Sequence, residues 1–538
     1  MTISILRELL PRLATFKPSG QIEIEVRGIA APGTVTVWHL GDRIAELAYD
    51  GNGALSVPPL LPGGYGIELD CDGEVFRTAV EVAEDLRARL RYGFVASYAP
   101  DRELQGVRDT VRRLHLTGVQ FYDWAYRHAD LMGGGESYRD ALDQPVSLEI
   151  VRSLVHMVKT AGCRALGYAA VYAVGPKEWG LWNHRALLKG AGEAYGLGDF
   201  LLLVDPAAED WLTHFIGDLE RATEALGFDG FHLDQYGYPK QAVRADGAVV
   251  DVGASFAALI EAARIALPGS HLVFNNVNDF PTWRTATSPQ DAVYVEPWEP
   301  QLTLDSLART VSRARSLSGG KPVVVAAYQH VYDKAESAEA DRATALTMAA
   351  LYSHGATQLL AGEGDRILVD PYYVRNHVVE PSTAAMLKRW YDFLVAHDSL
   401  LLAPEIVDVT TSYVGAYNGD LDVSFADAGI TETATAGSVW RRVTEVGGRM
   451  IVHLINLVGQ PDTLWDAPRA SPGNPGAARL TIRRIDGFVP RVAIADPDGI
   501  GRLTDVPVTM EGPNAIADLP PLSIWQMVVV DLTGRRTA

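Results

Sequence analysis

Between residues 91 and 402 the chain repeats one pattern eight times: a short apolar run, then a stretch of helical period. The runs are RYGFVAS (91–97), GVQFYDW (118–124), CRALGYAAVY (163–172), GFHLDQ (230–235), HLVFNNV (271–277), AVYVEPW (292–298), KPVVVAAY (321–328) and ATQLLAGE (356–363). Helical stretches such as SLEIVRSLVHMVKTAG (147–162) and DWLTHFIGDLERATEALG (210–227) lie between them. Apolar strands alternating with amphipathic helices call for parallel pairing with the helices outside. Eight such units over about 310 residues is the count of a closed (β/α)8, or TIM, barrel. The competitor, an open doubly wound sheet, carries a glycine-rich phosphate loop after its first strand. Tyr92-Gly93-Phe94-Val95-Ala96-Ser97 is not such a loop.

The flanks have a different texture. Residues 1–88 read as short strands punctuated by turns, with QIEIEV (21–26) alternating, GTVTVWHL (33–40) following, and a hairpin turning at Asp72-Gly73. After residue 402 the helical periods stop. RRVTEVGGRMIVHLINLVG (441–459) reads as a hairpin turning at Gly447-Gly448, and RLTIRRI, RVAIADP and IWQMVVVDL read as strands. The reading is a multidomain α/β chain: a small antiparallel sandwich over 1–88, a barrel over 89–402, and a second β-sandwich over 403–538.

A chain of 538 residues buries a large core without disulfide or metal staples. Its net charge of −20 disfavours nucleic acid and anionic membrane surfaces as partners, and neutral ligands fit better. Two cysteines, Cys71 and Cys163, make neither a disulfide framework nor a cysteine-based zinc site. No HExxH or similar ligand spacing appears, so neither metal nor cofactor is expected. Arg7, Glu8 and Arg12 interrupt the apolar start, which does not read as a leader peptide, and no run is long enough to span a membrane. The expected location is the cytoplasm, or outside the cell if a leader has been removed. Oligomeric state is left open.

In a barrel of this kind the chemistry sits at the carboxyl ends of the strands. Strand four ends His232-Leu233-Asp234-Gln235 and strand six ends Tyr294-Val295-Glu296-Pro297-Trp298. Strand alternation sends Phe231 and Leu233 toward the helices, and His232 and Asp234 inward. Likewise Val293 and Val295 face out while Tyr294 and Glu296 face in. On strand five, Phe274, Asn276 and Asn278 share a face, and amides there are placed to bind sugar hydroxyls or hold a carboxylate. Two carboxyl groups across a mouth lined with Tyr and Trp is the equipment of glycoside hydrolysis: one protonates the leaving oxygen, the other attacks the anomeric carbon or activates water. Glu296, flanked by Tyr294 and Trp298, is the better-shielded acid, and Asp234, between His232 and Gln235, the nucleophile. Asp229, at the bottom of strand four, reads as structural.

The segments GFHLDQYG around Asp234, YVEPW around Glu296, QFYDWAYRH (120–128) and FNNVN (274–278) together resemble glycoside hydrolase family 66, which holds dextranases and cycloisomaltooligosaccharide glucanotransferases. The resemblance implies an immunoglobulin-like N-terminal sandwich ahead of the barrel. It also implies a retaining mechanism on α-1,6-glucan or isomaltooligosaccharides, with Asp234 as nucleophile and Glu296 as acid/base. Strand-end position, aided by the resemblance, adds Tyr122, Asp123, Trp124, His128, His232, Gln235, Asn276, Asn278, Tyr294, Trp298, Tyr328 and Glu363 as expected substrate-binding residues. The family's dextranases are typically secreted, whereas this chain shows no leader. Its cyclising members carry a carbohydrate-binding insertion in the barrel, which this compact barrel, with its longest loop after strand three, leaves no room for. That favours an endo-dextranase-like hydrolase. The alternatives are a transglycosylase forming cyclic or longer isomaltooligosaccharides, a hydrolase of another α-glycan, and a carbohydrate-binding barrel without catalysis.

Overall fold

A computed structural model describes residues 7–415, 417–483 and 488–533. Its centre is one eight-stranded parallel sheet, β1 Tyr92–Val95, β2 Gly118–Phe121, β3 Arg164–Ala170, β4 Gly230–Asp234, β5 His271–Val277, β6 Ala292–Glu296, β7 Val323–Val325 and β8 Ala356–Gln358, paired in that order. Each strand falls within one of the eight runs read from the sequence. The Phe94 backbone N–H donates to Ala361 O at 3.2 Å, which brings the two ends of the sheet together in the manner of a TIM barrel.

Helices cover its outer face: α1 Gln105–Arg113, α2 Leu148–Thr160, α3 Glu209–Leu226, α4 Val252–Ala266, α5 Leu304–Ser318, α6 Ser337–Ser353 and α7 Pro381–Ala396. The link from β5 to β6 holds only the single turn Thr282–Thr285. Helix α3 shows why these segments wind as they do. Glu209 and Asp210 sit in its first turn against the positive end of the helix dipole, and Gly227 ends it at φ +77°. Its buried Trp211, Phe215, Leu219, Ala222 and Leu226 recur every three or four residues and form one stripe. That stripe meets the outward strand residues Val119, Phe121, Phe231, Leu233, Val293 and Val295 in one core. The inward residues Tyr92, Phe94, Leu166, Tyr168, Val273, Tyr294 and Val324 form a second core inside the sheet.

The flanking regions are antiparallel sheets. On the N-terminal side, three strands (Glu8–Pro11, Ile22–Arg27, Ala54–Val57) and four (Asp42–Tyr49, Gly33–His39, Gly63–Cys71, Glu74–Val82) share a core. The turn at Asp72-Gly73 has φ of +54° and +85°, the left-handed pair that a two-residue hairpin demands. The C-terminal side has a sheet built on the hairpin Val439–Val446/Arg449–Asn456, which turns at Gly447-Gly448, and a second sheet of four strands. The strand expected at RLTIRRI runs Ala478–Arg483, and its last two residues, Arg484 and Ile485, lie outside the described residues.

Both flanks brace the barrel. At its base Arg91, fully buried, donates to His115 O at 2.6 Å and to Glu81 Oε2 at 2.5 Å, tying β1 to the N-terminal sheet. Asp229, as expected, is structural: it accepts from the Ala165 N–H and pairs with Lys159. At the mouth, the C-terminal segment donates Trp465 Nε1–H to Gln301 O at 2.8 Å, and its Asp466 accepts from Val331 N at 2.8 Å. These two contacts hold the loops after β6 and β7 from behind. Among the described residues, no helix is long and apolar enough to cross a membrane.

Removing the cation of the basal pair leaves a buried carboxylate with only the Thr15 hydroxyl donating to its side chain, at 3.2 Å. Arg91→Met is therefore expected to cost about 3–5 kcal/mol by chemical denaturation, with part of that recovered when Glu81→Gln is added. A loss below about 1 kcal/mol would show that this pair does not hold the base together.

Candidate active site

Asp234 ends β4 and Glu296 ends β6, both inward as strand alternation predicts. Between them stands Asn275 of β5. Its Nδ2 donates to Asp234 Oδ1 at 2.7 Å and to Glu296 Oε2 at 2.8 Å. Two acceptors on one nitrogen lie no more than about 5.5 Å apart at these lengths, and the trigonal amide geometry brings them to about 4.8 Å. The other oxygen of each carboxyl takes a phenol. Tyr168 Oη donates to Asp234 Oδ2 at 2.7 Å, and Tyr328 Oη to Glu296 Oε1 at 2.9 Å.

Burial pushes both carboxyls up from their ordinary range. Hydrogen bonds from Tyr168, Asn275 and the Gln235 backbone oppose the rise at Asp234. At Glu296 the negative charge of Asp234 adds to burial, against hydrogen bonds from Asn275, Tyr328 and Trp298. The repulsion acts on both alike, so the pair holds one proton to a higher pH than either carboxyl would hold it alone. One layer below, His232 Nδ1 lies 3.3 Å from Tyr92 Oη, and burial lowers the imidazole to about 3, so it stays neutral.

A cavity of 300 Å³ opens over the pair. Gln120 and His232 form its floor, and Tyr122, Tyr168, Tyr236, Tyr328 and Tyr373 its walls. Tyr373 arrives from the hairpin Arg366–Leu368/Asn376–Val378 that follows β8, and stacks on Tyr122 at 4.2 Å between ring centroids. Trp298 stands at the rim, 41% exposed. Among the described residues, no group of three or more His, Cys, Asp or Glu is gathered as metal ligands would be.

Of the residues expected from strand-end position, the structure brings Tyr122, His232, Gln235, Trp298 and Tyr328 to this cavity with the two carboxyls. Gln235 has its amide fully occupied: Nε2 donates to Asn275 O and Phe280 O, and Oε1 accepts from Gly237 N. Its contribution is to lock the end of β4 to β5. The others are placed elsewhere. Strand β2 ends at Phe121 and Asp123 turns left-handed at φ +44°, so alternation stops there and Trp124 swings into the helix layer, 0% exposed, its Nε1–H on Tyr168 O. Asp123 does not line the cavity; burial, then the charges of Asp140 and Asp234, raise it to about 8. His128 is buried edge-on to Tyr168, lowered to about 4 by burial. Tyr294 faces in, a layer too deep, its Oη 3.1 Å from Tyr373 Oη. Glu363 accepts from Ala96 N and pairs with Arg102, lining a separate groove between β1 and β8.

Strand five corrects the face assignment by one residue. Asn276 points to the helix layer, where its Nδ2 donates to Phe274 O and Tyr294 O, and its Oδ1 accepts from Thr285. Asn278, at φ +52°, braces the Trp298 loop through Glu299 O. The inward amide is Asn275. The signal was present: Phe274 belongs with Phe231 and Leu233 in the outer core, which sets its neighbour inward. Tyr168 was legible by the same rule. Tyr372 and Tyr373 lie beyond β8 in a hairpin, where no strand period reaches.

The family model described as glycosyl hydrolase family 66 matches residues 29–529. A cycloisomaltooligosaccharide glucanotransferase of Niallia circulans is 24% identical over 346 residues, 56% of this chain and 35% of that protein. A dextranase of Streptococcus salivarius is 24% identical over 453 residues, 71% of this chain and 54% of that protein. The chain thus spans between a third and just over half of the length of these curated relatives. A crystal structure of a Paenibacillus sp. cycloisomaltooligosaccharide glucanotransferase complexed with cycloisomaltoheptaose superposes with a TM-score of 0.86 at 18% identity, over 98% of this chain and 99% of that one. At that identity the likeness speaks to the fold.

The electrostatics of the pair can be read without any substrate, from the carboxyl ¹³C shifts of labelled protein. Removing a negative neighbour favours ionisation, so Asp234→Asn should lower the pKa of Glu296. Tyr328→Phe removes a donor to the carboxylate and should raise it. A Glu296 titration unmoved by Asp234→Asn would show that the two groups do not interact.

Proposed function

We propose that this chain, which belongs to glycosyl hydrolase family 66, is a glycosidase that cleaves α-1,6-glucosidic bonds of dextran or isomaltooligosaccharides by double displacement. The observation that carries the reading is the shared amide of Asn275. It sets the two carboxyl oxygens about 4.8 Å apart, which fits the about 5–5.5 Å separation of retaining pairs and leaves no room for the water that an inverting pair straddles. Asp234, as its carboxylate, attacks the anomeric carbon. The bond to the leaving sugar oxygen breaks as Glu296 hands that oxygen its proton, leaving a glucosyl ester on Asp234. Glu296, now a carboxylate, takes a proton from the acceptor hydroxyl, whose oxygen displaces the ester and frees Asp234. The tyrosine walls are neutral, as a neutral sugar requires.

The same geometry admits a second reading, in which the acceptor is another sugar rather than water. The relative named as a glucanotransferase, 24% identical over 346 residues, is the reason for keeping it, and barrel compactness does not choose between the two. We further read the chain as three domains: an immunoglobulin-like sandwich over 1–88, the catalytic barrel over 89–402 and a β-sandwich over 403–538.

Asp234→Ala and Glu296→Ala should each keep the wild-type circular dichroism and lose at least about 10³ in kcat on isomaltooligosaccharides, since each removes a bond-forming or proton-transfer role. The first-formed product should be the α-anomer by ¹H NMR; a β-anomer would sink double displacement. Mass spectrometry of products from dextran separates the acceptors: free reducing ends mark water, and products one water lighter mark cyclisation.

A further inference from the structure

We propose that His232 meets the substrate as a neutral hydrogen-bond donor, through Nε2–H, and that Tyr92 is the positioning residue that fixes the ring proton on that nitrogen. The proposal deepens the glycosidase reading above and rests on it for the identity of the acceptor, a sugar hydroxyl. The starting point is a count of protons. Tyr92 is 0% exposed and belongs to the core inside the sheet. Burial holds its phenol well above the ordinary range, so the hydroxyl keeps its proton. Among the described residues, His232 Nδ1, at 3.3 Å, is the one hydrogen-bond partner of Tyr92 Oη.

Burial also keeps the imidazole neutral, so the ring carries a single proton. With that proton on Nδ1, the phenol would have to accept from it, and the phenol's own O–H would be buried with nothing to receive it. With the proton on Nε2, the phenol donates to the Nδ1 lone pair and both buried groups are satisfied. Turning the ring over fails for the same reason, since it sets a carbon opposite Tyr92 Oη. Packing opposes the turn as well. The ring is layered with Tyr92 and Tyr168, at 5.9 and 6.1 Å between centroids, and meets Tyr294 edge-on at 4.7 Å.

Nε2 is left for the cavity. It makes no hydrogen bond to the described residues and is not sealed from the cavity whose floor His232 forms. His232 lies two residues before Asp234 on the same face of β4, about 6.6 Å along the strand. A sugar whose anomeric carbon is at Asp234 can therefore present a ring hydroxyl to His232. That hydroxyl has one proton and two lone pairs, and the donors beside the reacting carbon are already spent: Asn275, Tyr168 and Tyr328 serve the two carboxyls. A donor from the floor supplies what those groups cannot. It also has to be uncharged. An imidazolium one layer below would favour ionisation of both carboxyls, and the proton that Glu296 gives to the leaving oxygen would be lost.

The test reads the ring directly, by NMR of protein labelled with ¹⁵N at histidine, the His232 signals being those absent from His232→Gln. The wild type should show one tautomer at neutral pH, protonated at Nε2. Tyr92→Phe removes a single oxygen. It should keep the wild-type circular dichroism, let the proton distribute over both nitrogens, and lower kcat/KM on isomaltooligosaccharides about threefold to tenfold, as the loss of one neutral hydrogen bond does. In Asp234→Ala, isomaltohexaose at a concentration that saturates binding by calorimetry should shift the Nε2–H resonance. A wild-type ring protonated at Nδ1, or a tautomer that Tyr92→Phe leaves unchanged, would overturn the role of Tyr92; the wild-type spectrum decides this even if the variant does not fold. An Nε2–H resonance unmoved by bound sugar would overturn the contact. Absence of isomaltooligosaccharide turnover by the wild type, with the Nε2–H tautomer in place, would overturn the α-1,6 reading alone.

Discussion

Two carboxyl groups buried side by side resist being charged together. At about 4.8 Å and an effective dielectric near 20 their mutual repulsion is about 3 kcal/mol, enough to keep a proton on one of them near neutrality. The barrel turns that repulsion to use by placing one amide nitrogen between them. Asn275 holds both oxygens at once, while Tyr168 and Tyr328 hold the two that remain. Each carboxyl shares the Asn275 donor and has a tyrosine of its own, so the spacing is set without either side chain being free to turn away. What distinguishes the acid from the nucleophile is then a difference of surroundings.

The rest of the fold keeps this arrangement still. At the base, the Arg91–Glu81 pair and the backbone carbonyl of His115 join the N-terminal sheet to the strand starts. A C-terminal connecting segment, through Trp465 and Asp466, holds the loops after β6 and β7, which carry Trp298 and Tyr328. The flanking regions therefore act on opposite ends of the same barrel, one fixing the frame and the other the mouth.

How much of this was legible in the sequence follows from where a periodic rule applies. Inside β4 and β6 alternation is unbroken, and Asp234, His232, Tyr294 and Glu296 were assigned the faces they occupy. In β5 the rule held but was started on the wrong residue: two adjacent asparagines offer no contrast in polarity, and only the bulk of Phe274 breaks the tie. At Trp124 the rule had expired, because β2 stops at Phe121 and Asp123 adopts a left-handed turn that short-range periodicity does not announce. Tyr373 lay beyond any such rule. Its place in the wall depends on a hairpin folding back across the barrel, a contact between residues 251 positions apart in the chain, as its stacking on Tyr122 shows.

That hairpin lies some seventy positions beyond Glu296 and touches neither carboxyl through a hydrogen bond. The reacting groups belong to the barrel strands, whereas Tyr372 and Tyr373 of the cavity wall belong to a hairpin beyond them. Residues 366–379 can lengthen or shorten without disturbing a strand of the barrel. A lineage built on this barrel can therefore reshape that wall by insertion and deletion, while its chemistry is inherited unchanged.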